Sequence, residues 1–167
     1  MAFDAARGEI VMTGGINDGK TWIWNGTDWA ERVTVTPAPD LSGGPLAYDP
    51  DHQSVLAYAP NTSRTWRWDG ADWSNVTPAS MPVARFGAVM VADATEHVVS
   101  LIGGVAGGVP TGEHWIWDGS QWSPRAGGGA TITYSGTAVF DSVRGEVVVA
   151  GGYLAGATLS TRTWLLR

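Results

Sequence analysis

The chain has 167 residues, ten of them tryptophan and 23 glycine, with no cysteine and a formal net charge of −6. That balance excludes a nucleic-acid backbone as partner, because one Lys and nine scattered Arg form no basic stripe, and it excludes disulfides, thiol catalysis and thiolate metal sites. No run of about 18 apolar residues is long enough to span a membrane, and Met1-Ala2-Phe3-Asp4 lacks the basic and apolar regions of a signal peptide.

The first predicted strand of each repeat ends in Asp: Ala2-Phe3-Asp4, then Leu46-Ala47-Tyr48-Asp49, Val89 to Asp93 and Thr137 to Asp141. Each Asp is expected to cap its own turn through side-chain to backbone bonds. A second, strongly apolar strand follows and ends in a glycine pair at 14–15, 103–104 and 151–152, whereas the second repeat carries Ala59-Pro60 there. Apolar runs of this kind predict strands covered on both faces. Next comes Thr21-Trp22-Ile23-Trp24-Asn25-Gly26-Thr27-Asp28-Trp29, which returns at 65–73 and 114–122 and, cut short, at 163–167. The first Trp of each copy lies 44, 49 and 49 residues after the one before.

Trp-x-Trp places two rings on one face of a strand. Asn-Gly or Asp-Gly predicts a tight hairpin with two positive-φ positions, and the returning strand brings back the third Trp. Such a hairpin cannot bury its own aromatic cluster, so a neighbouring copy must. All ten tryptophans (Trp22, Trp24, Trp29, Trp66, Trp68, Trp73, Trp115, Trp117, Trp122 and Trp164) are therefore expected in the structural core. Pro- or Gly-rich links at 36–45, 77–85 and 123–129 join the repeats, which run approximately 1–43, 44–86, 87–134 and 135–167.

Four antiparallel strands repeated at this period predict an all-β domain, a β-propeller of four-stranded blades spanning 1–167. The glycine pair, the aromatic-Asp turn and the TWxWDGxxW hairpin resemble kelch repeats, in particular their bacterial variety. The resemblance covers essentially the whole chain and implies blades around a channel with the first strand innermost, in a domain that binds other proteins or carries a grafted enzyme site. Trp-Asp at 68–69 and 117–118 is not accompanied by the Gly-His of WD40 repeats. Around Asp18 the spacing departs from the Asp-box of sialidases by one residue and lacks its Ser or Thr.

The fourth repeat stops after its third strand, giving about fifteen strands. An uncovered blade face follows, and association between chains is expected to complete or cover it; a four-bladed ring with a defective seam and a piece of a longer product are the alternatives.

No catalytic constellation emerges. His52, His97 and His114 fall in different turns and strand ends and cannot share a metal. The copper chemistry of galactose oxidase, which some kelch-like propellers carry, needs a Cys and converging His that this chain lacks. Asp18, Asp40 and Glu113 stand outside the repeated pattern and are the carboxylates with most scope for a special role. No cofactor is expected. The variable links at 16–20, 61–64, 105–113 and 153–161 share one end of the propeller with the inter-repeat connections, and repeat proteins recognise partners on such a face. Asn17, Asp18, Arg64, Arg85, His114 and Arg125 are the expected polar contacts. The expected function is a non-catalytic module binding protein or glycan; the alternative is a carbohydrate-active hydrolase or lyase at the channel mouth.

Overall fold

The computed structural model describes residues 1–14, 19–126, 134–156 and 158–166. It is a four-bladed β-propeller arrangement with no helix among the described residues. Blade 1 is the sheet β1 (Ala2–Asp4), β2 (Glu9–Thr13), β3 (Thr21–Trp24) and β4 (Trp29–Arg32). Blade 2 is β5 (Leu46–Asp49), β6 (Ser54–Ala59), β7 (Arg64–Trp68) and β8 (Trp73–Asn75). Blade 3 is built from β9 (Val89–Asp93), β10 (Val98–Ile102), β13 (His114–Trp117) and β14 (Trp122–Pro124), and between β10 and β13 stands a short hairpin of β11 (Val105–Ala106) and β12 (Val109–Pro110). Blade 4 has three strands, β15 (Thr137–Asp141), β16 (Glu146–Ala150) and β19 (Thr163–Leu166), with a matching hairpin of β17 (Tyr153–Leu154) and β18 (Thr158–Leu159). The first strands β1, β5, β9 and β15 lie side by side in chain order.

Each Asp that ends a first strand closes its turn as the sequence suggests. Asp49 Oδ1 accepts from the backbone N–H of Asp51 and His52 at 3.2 and 3.3 Å, and Asp93 and Asp141 repeat the pattern. The Trp hairpin differs from expectation. The second Trp pairs directly with the third (Trp24 with Trp29, Trp68 with Trp73, Trp117 with Trp122), so the loop has four residues rather than two. Gly26, Gly70 and Gly119 take positive φ, but Asn25, Asp69 and Asp118 do not. Their side chains instead accept from the N–H groups two and three residues on, as Asn25 Oδ1 does from Thr27 and Asp28 at 2.9 and 3.0 Å. This side-chain turn removes the need for a second left-handed residue.

Register divides each blade into two faces. In blade 2, Val55 and Ala57 stand opposite Trp68 and Trp66, making a tryptophan face, while Leu56 and Tyr58 pair with Arg67 and Thr65 on a plain face. Three cores result. The plain face of blade 1 (Val11, Ile23) packs on the tryptophan face of blade 2 (Val55, Ala57, Trp68, Trp73). Blade 2 offers Ala47, Leu56 and Tyr58 to Val99, Leu101, Trp117 and Trp122 of blade 3. Val91 and Ile102 of blade 3 meet Val147, Val149 and Trp164 of blade 4.

This alternation places Trp66, Trp115 and Trp164 against the cores with the buried four and departs from the expectation that all ten tryptophans are core only at Trp22, Trp24 and Trp29. Trp68, Trp73, Trp117 and Trp122 are buried, whereas Trp22, Trp24, Trp29, Trp66, Trp115 and Trp164 are half-buried. Trp22, Trp24 and Trp29 lie on the tryptophan face of blade 1, which no described blade covers. Coverage of the apolar second strands follows the same rule: β6 is buried along its whole length, while β2 has Ile10 and Met12 half-buried.

The second glycine of the pairs at 103–104 and 151–152 has a steric origin. Phe86 and Val105 exchange two backbone hydrogen bonds, of 3.1 and 2.8 Å, directly beside Gly104. A Cβ on Gly104 would lie 2.9 Å from Phe86 O, and one on Gly152 would lie 2.7 Å from Tyr134 O. This close approach lets each extra hairpin rise from the end of its blade.

Candidate functional site

The two ends of the propeller are built differently. At the turn end, the Asp-Gly hairpins of blades 2 and 3 receive side chains from the preceding blade. Arg7 Nη2 donates to Asp69 O, Arg32 Nη1 to Gly70 O at 3.1 Å, and Arg67 Nη2 to Gly119 O at 2.9 Å. Arg7 is also held by Asp4 at 2.8 Å and by Gln53 O at 2.9 Å. These groups bind one another and fix blade to blade.

The loop end carries the variation. Between blades 2 and 3, Arg85 is completely buried, and its Nη2 donates to Glu113 Oε2 at 2.5 Å. Its Nε donates to Val83 O at 3.1 Å and its Nη1 to Gly103 O at 3.4 Å. Trp115 Nε1 donates to the same Glu113 oxygen at 2.9 Å, and Tyr58 OH donates to Val83 O at 2.8 Å. The hydrogen bonds from Arg85 and then Trp115 hold the Glu113 carboxyl below its ordinary pKa, whereas burial pushes the Tyr58 phenol up. Glu113 is therefore ionised and Tyr58 protonated near neutrality. The guanidinium clamps the two roots of the β11–β12 loop, at Gly103 and Glu113, onto the 82–85 link.

Several large apolar side chains at this end are exposed alongside polar ones. Val109 at the tip of β12 is 66% exposed, Leu159 in β18 65% and Phe86 49%. Val83 and Met81 of the neighbouring link are exposed as well. Tyr134 stacks on Tyr153 at 5.5 Å, and Ser135 N donates to Gly87 O at 2.7 Å, joining the bases of the two hairpins.

The residues expected from sequence are not gathered into one site. Asn17 and Asp18 lie outside the described residues. Arg64 is exposed at the start of β7. Arg85, expected as a loop contact, is instead a fully buried clamp, because its three donor nitrogens meet carbonyls and a carboxylate inside the blade junction. His114 is buried too, with Nε2 2.9 Å from Ser100 Oγ and Nδ1 unpartnered, so surface contact is not open to it. Burial, and then the charge of Arg125, lower its pKa to about 4. Arg125 is paired with Glu96 at 2.5 Å. Asp40 caps its own turn, its Oδ1 accepting from Ser42 N and Oγ at 3.0 and 2.7 Å.

The three histidines have separate surroundings. His52 Nδ1 lies 2.9 Å from Asp49 and His97 Nδ1 2.9 Å from Asp51, apart from the buried His114. Among the described residues no group of three or more His, Asp or Glu is placed to hold a metal. Among the described residues no helix is long and apolar enough to cross a membrane.

Sequence reasoning missed the apolar crown of Val109, Leu159, Phe86 and Tyr153. Its signals were present as an aromatic ahead of each inner strand (Phe86-Gly87, Tyr134-Ser135) and as Val-Pro after Gly107-Gly108.

No protein-family model matches the sequence, and none of the curated proteins does. Among solved structures, 118 chains match. One of them, the structure of YjhT, superposes with a TM-score of 0.65 at 14% identity, covering 88% of this chain and 49% of YjhT. This chain thus spans about half the length of YjhT. At that identity the likeness concerns the fold, and it agrees with a propeller.

Proposed function

We propose that this chain is a non-catalytic recognition module of kelch-like type, and that it binds a protein surface through the apolar crown at its loop end. The observation that carries this reading is the exposure of Val109, Leu159 and Phe86 on or beside short hairpins rooted by backbone pairing. Large apolar side chains left exposed at one end of a propeller favour a protein partner. Arg64, exposed at the start of β7, would supply a charged contact. A glycan partner, or a carbohydrate-active site at the channel mouth, is less well supported. Hydrolysis of a glycoside calls for a protonated acid opposite a second carboxylate, and Glu113, beside the buried guanidinium, is held ionised by Arg85.

A photo-crosslinking residue placed at Val109 or Leu159 tests the reading against one placed at Thr27 on the turn end. Specific protein adducts are expected from the first two positions, and Val109→Glu combined with Leu159→Glu should abolish them without lowering Tm. Adducts arising equally from Thr27, or turnover of a chromogenic glycoside by the purified chain, would overturn it.

A further inference from the structure

The outer faces of blades 1 and 4 are the two halves of the contact that joins every other pair of blades. At each internal junction the plain face of one blade meets the tryptophan face of the next. Two of these junctions carry the same buried hydrogen bond. Trp73 Nε1 donates to Thr21 Oγ1 and Trp122 Nε1 to Thr65 Oγ1, both at 2.8 Å. The donor is the third Trp of one blade, and the acceptor is the Thr directly before the first Trp of the preceding blade.

Extending the rule to the ends leaves one donor and one acceptor over. Trp29 is the third Trp of blade 1, and Thr163 opens the third strand of blade 4. Thr163 is exposed, and Trp29 is half-buried on its open face. Apolar groups accompany each: Phe3, 56% exposed, beside Ile10 and Trp24 on blade 1, and Val139 and Leu165, each 60% exposed, on blade 4. Tryptophan faces and plain faces are not interchangeable, so the leftover pair is complementary rather than self-complementary.

We infer that a second copy of this chain docks head to tail, seating the tryptophan face of its blade 1 on the plain face of blade 4, with Trp29 Nε1 donating to Thr163 Oγ1. The inference does not depend on the recognition reading, since it uses the sheet faces and leaves the crown free.

Light scattering after size exclusion, from about ten to several hundred micromolar, provides the test. Wild type is expected to form dimers or longer head-to-tail assemblies as concentration rises. Phe3→Glu blocks only the tryptophan face and Leu165→Glu only the plain face, so each variant alone should be monomeric. Mixed in equal amounts they should form a dimer, because each retains the half the other has lost. Val139→Glu serves as the second plain-face block if Leu165→Glu unfolds. Trp29→Phe, which removes the donor and keeps an apolar ring, should weaken association roughly tenfold. A wild type that stays monomeric throughout overturns the inference. So does dimerisation of the Leu165→Glu variant alone, which would mean that tryptophan faces pair with one another.

Discussion

Trp122 Nε1 and Thr65 Oγ1, on different blades, share a 2.8 Å hydrogen bond in which both side chains are buried. Trp73 and Thr21 repeat it one blade earlier. An indole seated this way contributes packing area and fills an acceptor that would otherwise be orphaned. Trp122→Phe should therefore cost about 1–3 kcal/mol, mostly for the unsatisfied hydroxyl, and Trp122→Ala about 3–5 kcal/mol. Trp24→Ala, on the open face of blade 1, should cost less than half as much as Trp122→Ala in urea denaturation of the monomer. Equal losses at the two sites would show that both faces are covered alike.

The Arg85–Glu113 pair makes a second, asymmetric prediction. Arg85 is completely buried, while the Glu113 side chain is 52% exposed. Removing the exposed partner should hurt, because it leaves the buried cation without its carboxylate. Glu113→Gln should destabilise by about 2 kcal/mol, less than the roughly 3–5 kcal/mol of fully buried pairs, since water reaches Glu113. Adding Arg85→Met to Glu113→Gln should recover part of that loss. A double-mutant cycle in urea reads the coupling directly, and additive losses would mean that the clamp is not a unit.

Much of the architecture was legible because it rests on local rules. Trp-x-Trp sets the face of a strand, Asp at the end of each first strand closes a turn, and repetition forces the blades to cover one another. The buried roles of Arg85 and His114 were not legible. A lone Arg in a Pro-rich link and a His opening a strand look like surface groups until the fold brings Gly103, Val83 and Glu113 around one and Ser100 beside the other. The hairpins at 105–110 and 153–159 were hidden for another reason. Gly107-Gly108 and Gly156 read as loose links, and the backbone pairing of Val105 with Phe86 and of Tyr153 with Tyr134 is long-range. The four-residue Trp hairpins were misjudged because Asn-Gly is also compatible with a two-residue turn, and only the pairing of the second and third Trp decides between them.

Gly119 and Gly26 hold equivalent hairpin positions, at φ +98° and +99°, but in different company. The His52 ring of blade 2 occupies the place a Cβ on Gly119 would take, whereas nothing lies within 4 Å of one on Gly26. Gly26→Ala should then cost only the left-handed backbone penalty, about 1–2 kcal/mol. Gly119→Ala should cost clearly more, because His52 must also leave its place beside Asp49, 2.9 Å away. Thermal unfolding of the two variants separates the strain from the contact, and identical Tm losses would deny any role to the His52 contact.

His114 takes the position that Thr21 and Thr65 fill in the first two blades, where the hydroxyl accepts a Trp N–H from the next blade. Blade 4 has no third Trp, and the buried Nδ1 of His114 is left unpartnered. Burial in first place, and then the positive charge of Arg125, bring its pKa from 6.5 down to about 4. With the folded value below the unfolded one, the unfolded chain binds the extra proton, so acid favours unfolding. The contribution of His114 is complete above pH 6.5 and is lost progressively as pH falls toward 4, at up to about 1.4 kcal/mol per pH unit. Chemical denaturation at half-unit steps from pH 7 to 4 should show this decline, and His114→Thr, which installs the residue of the other blades, should flatten it. A wild-type slope no steeper than that of His114→Thr across the window would mean that the imidazole is protonated in the folded state.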